Sequence, residues 1–210
     1  MKIYVRNKIS NYLYGVINYK NKMKKLFKFK TVAFLAVALL VSTFASAQNA
    51  PAFKPKPSPN DSVKGNIGNA LVSIKYGAPS LQGRKILGAI EPYGKPWRAG
   101  ANAATTFTTD KDLTVDGKKL AAGKYTIFMV PDEKEWKVIF NSQNGQWGIK
   151  KDAGDSRGYS ANDDPTKDVL VVTVKPKKAG PTERLVYTIN DKGFALIWED
   201  VEIDVPVKSK

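Results

Sequence analysis

The chain has 210 residues, with 34 Lys or Arg against 19 Asp or Glu, a formal charge of +15, and neither His nor Cys. Without those two residue types there is no imidazole proton relay, no thiol nucleophile and no preferred ligand for zinc or copper, which leaves carboxylate acid–base work, Ser–Lys arrangements, Tyr and Arg electrostatics, or a hard cation held by oxygen. Nine of the basic residues and none of the acidic ones fall in residues 1 to 47, so the remainder carries 25 basic and 19 acidic residues, a net of +6 scattered along strand-like segments, and no nucleic-acid partner is expected.

From Met23 the sequence reads MKKLFKFK, then an apolar run from Val32 to Val41, then STFASAQ. A charged start, a greasy middle and small residues at the end are the three parts of a secretory signal, with cleavage expected after Ala47. A bilayer-spanning helix needs ~20 predominantly apolar residues, about twice this run, so no membrane span is expected to remain after cleavage. Residues 1 to 22 lie upstream of that complete signal, which makes Met23 the expected biological start. No Cys stands beside the cleavage position to carry a lipid, and export to the periplasm or medium is expected. Pro51, Pro55, Pro57 and Pro59 disfavour helix and sheet ladder alike, so residues 48 to 60 read as a tether, followed by one domain over residues 61 to 207.

The domain reads as strands. Ala70, Val72, Ile74 and Tyr76 alternate with more polar residues, placing the apolar set on one side. Trp136, Val138 and Phe140 repeat the pattern, as do Leu185, Tyr187 and Ile189, then Phe194, Leu196 and Trp198, and finally Val201, Ile203, Val205 and Val207. Gly68-Asn69, Asp116-Gly117 and the residues from Asn190 to Gly193 supply hairpin turns. Lys124 to Val130 and Asp168 to Val174 carry apolar residues on both faces, which predicts central strands covered on both sides or strands at a sheet–sheet core. The fold expected is all-β, an antiparallel, jelly-roll-like sandwich of about nine or ten strands.

Between Arg84 and Thr106 the alternation fails. Pro92, Gly94 and Pro96 force a turning path, Tyr93 and Trp97 put amphipathic rings near Arg84 and Arg98, and Gly100 and Asn102 tolerate positive φ. Two guanidiniums, aromatic faces and an amide suit a carboxylate, a phosphate or a sugar. The competing reading makes Trp97 a core plug, Tyr93 a corner residue and Arg98 the partner of Glu91 or Glu199, with Gly and Pro shaping a crossover between sheets.

The stretch GRKILGAIEPYGKPWRAGANAATT resembles the hallmark of a bacterial exported family catalogued as domain of unknown function 2911. The resemblance extends through LAAGKYTIFMVP, EWKVIFN, Trp147-Gly148 and the closing LIWEDVEIDVPV, nearly the whole expected domain. It implies a β-sandwich and export and brings no established activity, substrate or cofactor. Ala103 stands where the family commonly has Glu, so an acid–base role for that position is not available here. On motif position Arg84, Tyr93, Trp97, Arg98, Asn102 and Thr105 are the candidate ligand-binding residues.

A long polar connection joins Asn141 to Lys167. Loops of this length are usually functional or mobile. Asp152, Asp155, Asn162, Asp163 and Asp164 offer oxygens to calcium, yet their spacing fits no EF-hand or metal-binding repeat, so no metal and no cofactor is expected. Trp147 and Tyr159 are the right residues to stack on a sugar ring. No phosphate-binding glycine loop and no Ser-x-x-Lys motif in a helical context appears. The function expected is non-catalytic binding of a polar or anionic small molecule or glycan. The alternatives are an envelope structural or protein-interaction domain, and a hydrolase using paired carboxylates.

Overall fold

The computed structural model describes residues 57–209 and, ahead of them, only Asn18, Lys20, Met23 and Lys24. The upstream extension and secretory signal, those four residues apart, and the tether before Pro57 lie outside the described residues.

The domain is an all-β antiparallel sandwich. One sheet has the order β1 (Asn60–Ile67), β2 (Ala70–Gly77), β3 (Thr106–Thr109), β6 (Gly123–Val130), β7 (Trp136–Asn141) and β10 (Asp168–Val174). The other has the order β11 (Lys177–Asn190), β12 (Gly193–Ser209), β4 (Leu113–Val115) and β5 (Lys118–Leu120). The period-two pattern decides which way each strand faces. Val72, Ile74, Phe107, Ile127, Val138, Phe140 and Val172 from the first sheet meet Leu113, Val115, Leu185, Leu196, Ile203 and Val207 from the second in one core. Phe107 and Phe194 sit at its middle, with Phe140 edge-on to Phe107 at 5.3 Å.

The alternating runs Phe194–Trp198 and Val201–Val207 form one strand, and Glu199 is their join. Its φ of 56° bulges the chain, so the buried side changes from even-numbered positions before it to Ile203, Val205 and Val207 after it. The pairing of β11 with β12 slips on both sides of this point.

Residues 125–129 of β6 are buried on both faces, as composition predicts, whereas β10 is the edge strand of its sheet and leaves Val169 and Val171 exposed, contrary to the expectation of a central strand covered on both sides. Phe128 points away from the main core, fully buried, and joins Ile139, Ala104 and Ala161 in a second small apolar cluster. The cover comes from the long polar connection, which carries a two-stranded hairpin of β8 (Ile149–Lys151) and β9 (Tyr159–Ala161) and a short 3-10 turn at Pro165–Lys167.

Candidate functional site

The irregular segment is built onto both sheets. Ser80 bridges Arg184 on β11, while Trp97 exchanges backbone hydrogen bonds of 2.7 and 2.9 Å with Met129, taking a place beside the half of β6 that short β3 does not reach. Between these points the carboxylate of Glu199 fixes the path. Its Oε1 accepts the backbone N–H groups of Ile86 at 2.6 Å and Leu87 at 2.9 Å, and its Oε2 accepts Lys85 Nζ at 2.6 Å.

After Trp97 the chain makes a tight turn in which Ala99 and Asn102, with φ of 53° and 63°, occupy the left-handed region. Such strain persists only when surrounding bonds over-determine it. Here the Ala99 carbonyl accepts from Thr105 Oγ1 at 3.0 Å and Tyr187 Oη at 2.8 Å, and the Gly100 carbonyl accepts from Trp97 Nε1 at 3.2 Å and Arg98 Nε at 3.1 Å. Asn102 donates its amide to the Ser58 carbonyl at 3.0 Å, tying the turn to the chain just ahead of β1. Gly100 has no room for a side chain, since a Cβ there would lie 2.8 Å from Thr105 Oγ1.

The six candidate residues therefore do not meet at one point. Arg84 binds the Leu81 and Ser80 carbonyls with Nε and Nη2 at the start of the segment. Tyr93 is exposed, its ring against Gly88. Trp97 is in the main core, stacked on Trp198 at 5.8 Å and edge-on to Trp136. Thr105 is wholly buried. Arg98 and Asn102 alternate out of the core on the side covered by the β8–β9 hairpin, half-buried.

A charge cluster forms where Arg98 meets the hairpin. Arg157 holds Asp155 through paired bonds of 2.9 and 3.0 Å and reaches Glu91 Oε2 at 2.9 Å, with its guanidinium 4.9 Å over the Tyr159 ring. All three charged side chains are nearly enclosed, at 13% exposure for Arg157, 11% for Glu91 and 7% for Asp155. Burial raises the Glu91 carboxyl above its ordinary range despite the nearby arginines, whereas the hydrogen bonds from Arg157 hold Asp155 well below. Burial also lowers the Arg98 guanidinium, an effect that the charges of Glu91 and Tyr159 oppose.

The partners differ from the simplest sequence pairing. Glu91 takes Arg157 and Glu199 takes Lys85, so neither is the ion-pair partner of Arg98. Among the described residues no carboxylate oxygen lies within ion-pair distance of Arg98, and its terminal nitrogens make no hydrogen bond to protein. Gly148 makes this fit possible, because a Cβ there would fall 2.2 Å from Arg98 Cδ and 2.8 Å from the Asn102 carbonyl. Ala103 and Trp147 pair across the same seam, flanked by the bonds Ala104 N–H to Gln146 O and Gly148 N–H to Asn102 O.

Two separated sequence signatures, the RAGANAAT stretch and Trp147-Gly148, thus form one surface. The family model described as "Protein of unknown function (DUF2911)" matches residues 58–207, which includes both. The chain belongs to the DUF2911 family. No curated protein and no solved structure matches it. Arg157 is the residue of this charge cluster that sequence reasoning passed over. The Asp155-x-Arg157 spacing is a readable local pair, but nothing local marks Glu91, 66 positions away, as its second partner. Among the described residues no three acidic side chains gather closely enough to hold a metal ion. Asp155 serves Arg157, Asp163 faces Lys150, and Asp164 caps the 3-10 turn through Thr166.

Proposed function

We propose that this is an exported, non-catalytic binding domain that takes a small anion, a carboxylate or phosphate borne by a polar molecule or glycan, at Arg98. The observation that carries the reading is a sheltered guanidinium whose terminal nitrogens lack a protein acceptor, beside an Arg157 already neutralised by two carboxylates. An oxyanion at Arg98 gains charge-assisted, two-pronged hydrogen bonds in a setting less screened than water. Tyr159 lies near enough to Arg98 for their charges to interact, and it brings a phenol to the same side of the turn. Glu91 and Asp155 each commit oxygen atoms to Arg157, which favours their use as clamps on the hairpin over use as a reacting pair. The leader-like residues 23 to 47 support the exported location.

The test is thermal unfolding of the full chain with phosphate, sulfate or citrate against chloride at equal ionic strength. A binder present at ~100 times its Kd adds about 2.7 kcal/mol of apparent stability. At least one of these anions should raise Tm, and Arg98→Gln should remove the rise. Failure of every anion, or a rise that survives Arg98→Gln, rejects the reading.

A further inference from the structure

The other side of the Ala103–Trp147 seam bears a different surface. Gly148 faces Arg98, so strand alternation turns Trp147 the opposite way. The hydrogen bonds flanking Ala103 and Trp147 make them a non-hydrogen-bonded pair, the arrangement that brings opposite side chains closest. Ala103 lines an open groove of about 580 Å³ across the outer face of β1, β2, β3 and β6. Ala103 at the rim of this groove is thus the cross-strand partner of Trp147, which is 57% exposed while the other three tryptophans are 1 to 3% exposed.

The groove is polar and unevenly charged. Ser62, Lys75 and Thr106 stand side by side on neighbouring strands, with Lys124 one diagonal step further. Asp61 is its acidic residue, and both oxygens are engaged, one by the Ser62 N–H at 2.7 Å and the other by Tyr76 Oη at 3.3 Å. Among the described residues neither Lys75 nor Lys124 has a carboxylate at ion-pair distance. A flat aromatic platform beside hydroxyls and two ammonium groups suits one chemistry. The weakly positive C–H face of a pyranose settles on the indole, and an acidic substituent reaches the lysines.

We infer that this groove is a second binding site, independent of Arg98, for an acidic saccharide built of hexuronate units. Trp147 stacks on one ring, Lys75 and Lys124 hold carboxylates, and Thr106 and Ser62 meet ring hydroxyls. The small Ala103 leaves the space between platform and lysines open.

The experiment titrates the full chain with tetramers of galacturonate, mannuronate and guluronate, with maltotetraose as the neutral counterpart, by calorimetry and tryptophan emission. At least one uronate tetramer should bind and alter the emission of the exposed Trp147. Trp147→Ala should weaken binding about tenfold, the loss of one stacked ring. The Lys75→Ala/Lys124→Ala double variant should weaken it about tenfold and flatten its salt dependence, as removal of partly screened charge pairs requires. Trp147→Ala should leave the Tm rise given by phosphate, sulfate or citrate unchanged, which separates this site from the anion site. The inference is overturned by silence from all three uronates, by full binding in Trp147→Ala, or by equal affinity for maltotetraose.

Discussion

Arg157 and Lys85 each neutralise a buried glutamate, yet their removal should have very different consequences. Lys85 is itself 63% exposed, and without it Glu199 keeps the backbone N–H groups of Ile86 and Leu87, so Lys85→Ala should cost less than about 1 kcal/mol. Arg157 is enclosed, and Arg157→Ala leaves Glu91 and Asp155 without the cation that bonds both. Breaking an enclosed ion pair from one side costs more than breaking a surface pair, because the remaining carboxylate of Glu91 stays desolvated. Urea unfolding midpoints of the two variants should therefore separate clearly. Equal shifts would mean that Arg157 decorates the hairpin rather than fastening it.

Most strands were legible because each buries one face, and burial writes itself as period two. Tyr76 at the end of the Ala70 run and Val207 at the end of the Val201 run are both in the core the pattern assigns. The hairpin of β8 and β9 was not legible, since its strands have three residues each and their apolar contribution to the sheet beneath is chiefly Ala161. What showed instead was the need for a cover. Phe128 in a strand already apolar on its other side announces a second layer without naming it. The Arg84–Thr106 motif was legible as an irregular segment but not as a geometry. Its side chains bond to carbonyls of their own turn, so residues that look like one recognition set point to the core, the hairpin and solvent in turn. Gly148 is where turn and hairpin touch. Gly148→Ala must displace Arg98 Cδ and press on the Asn102 carbonyl, an overpacking cost of about 1 to 3 kcal/mol. The loss should be local: hydrogen exchange should accelerate at Ile149–Lys151 and Tyr159–Ala161 while β2 and β7 keep their protection. A uniform acceleration would place Gly148 in the global fold instead.

Stability of the whole molecule against pH should carry two opposed slopes, one from hydrogen bonding to Arg157 and one from burial. Asp155, held well below its ordinary pKa by Arg157, contributes stability above the unfolded value of about 3.9 that disappears as pH falls through its folded value. Glu91, raised by burial, has the reverse sign: the folded state binds its proton more tightly than the unfolded chain, so its contribution is complete below about 4.3 and is lost as pH climbs through the raised value. Asp164, lowered by its bonds to Thr166, joins the first slope, and Asp168, raised by burial, joins the second. With no His in the chain, no ordinary imidazole titration covers these slopes near neutrality. Unfolding midpoints in urea from pH 2 to pH 8 should thus pass through a maximum in the mildly acid range. Asp155→Asn should make the acid side shallower, and Glu91→Gln should reduce the decline on the other side. Glu91→Gln retains an acceptor for the one bond that Arg157 makes to it, so the upper slope reports the lost charge, whereas Asp155→Asn removes the charge together with one of two oxygens that Arg157 holds. If Glu91→Gln left the upper slope unchanged, the cluster would be open to water and its carboxylate no more than a surface charge.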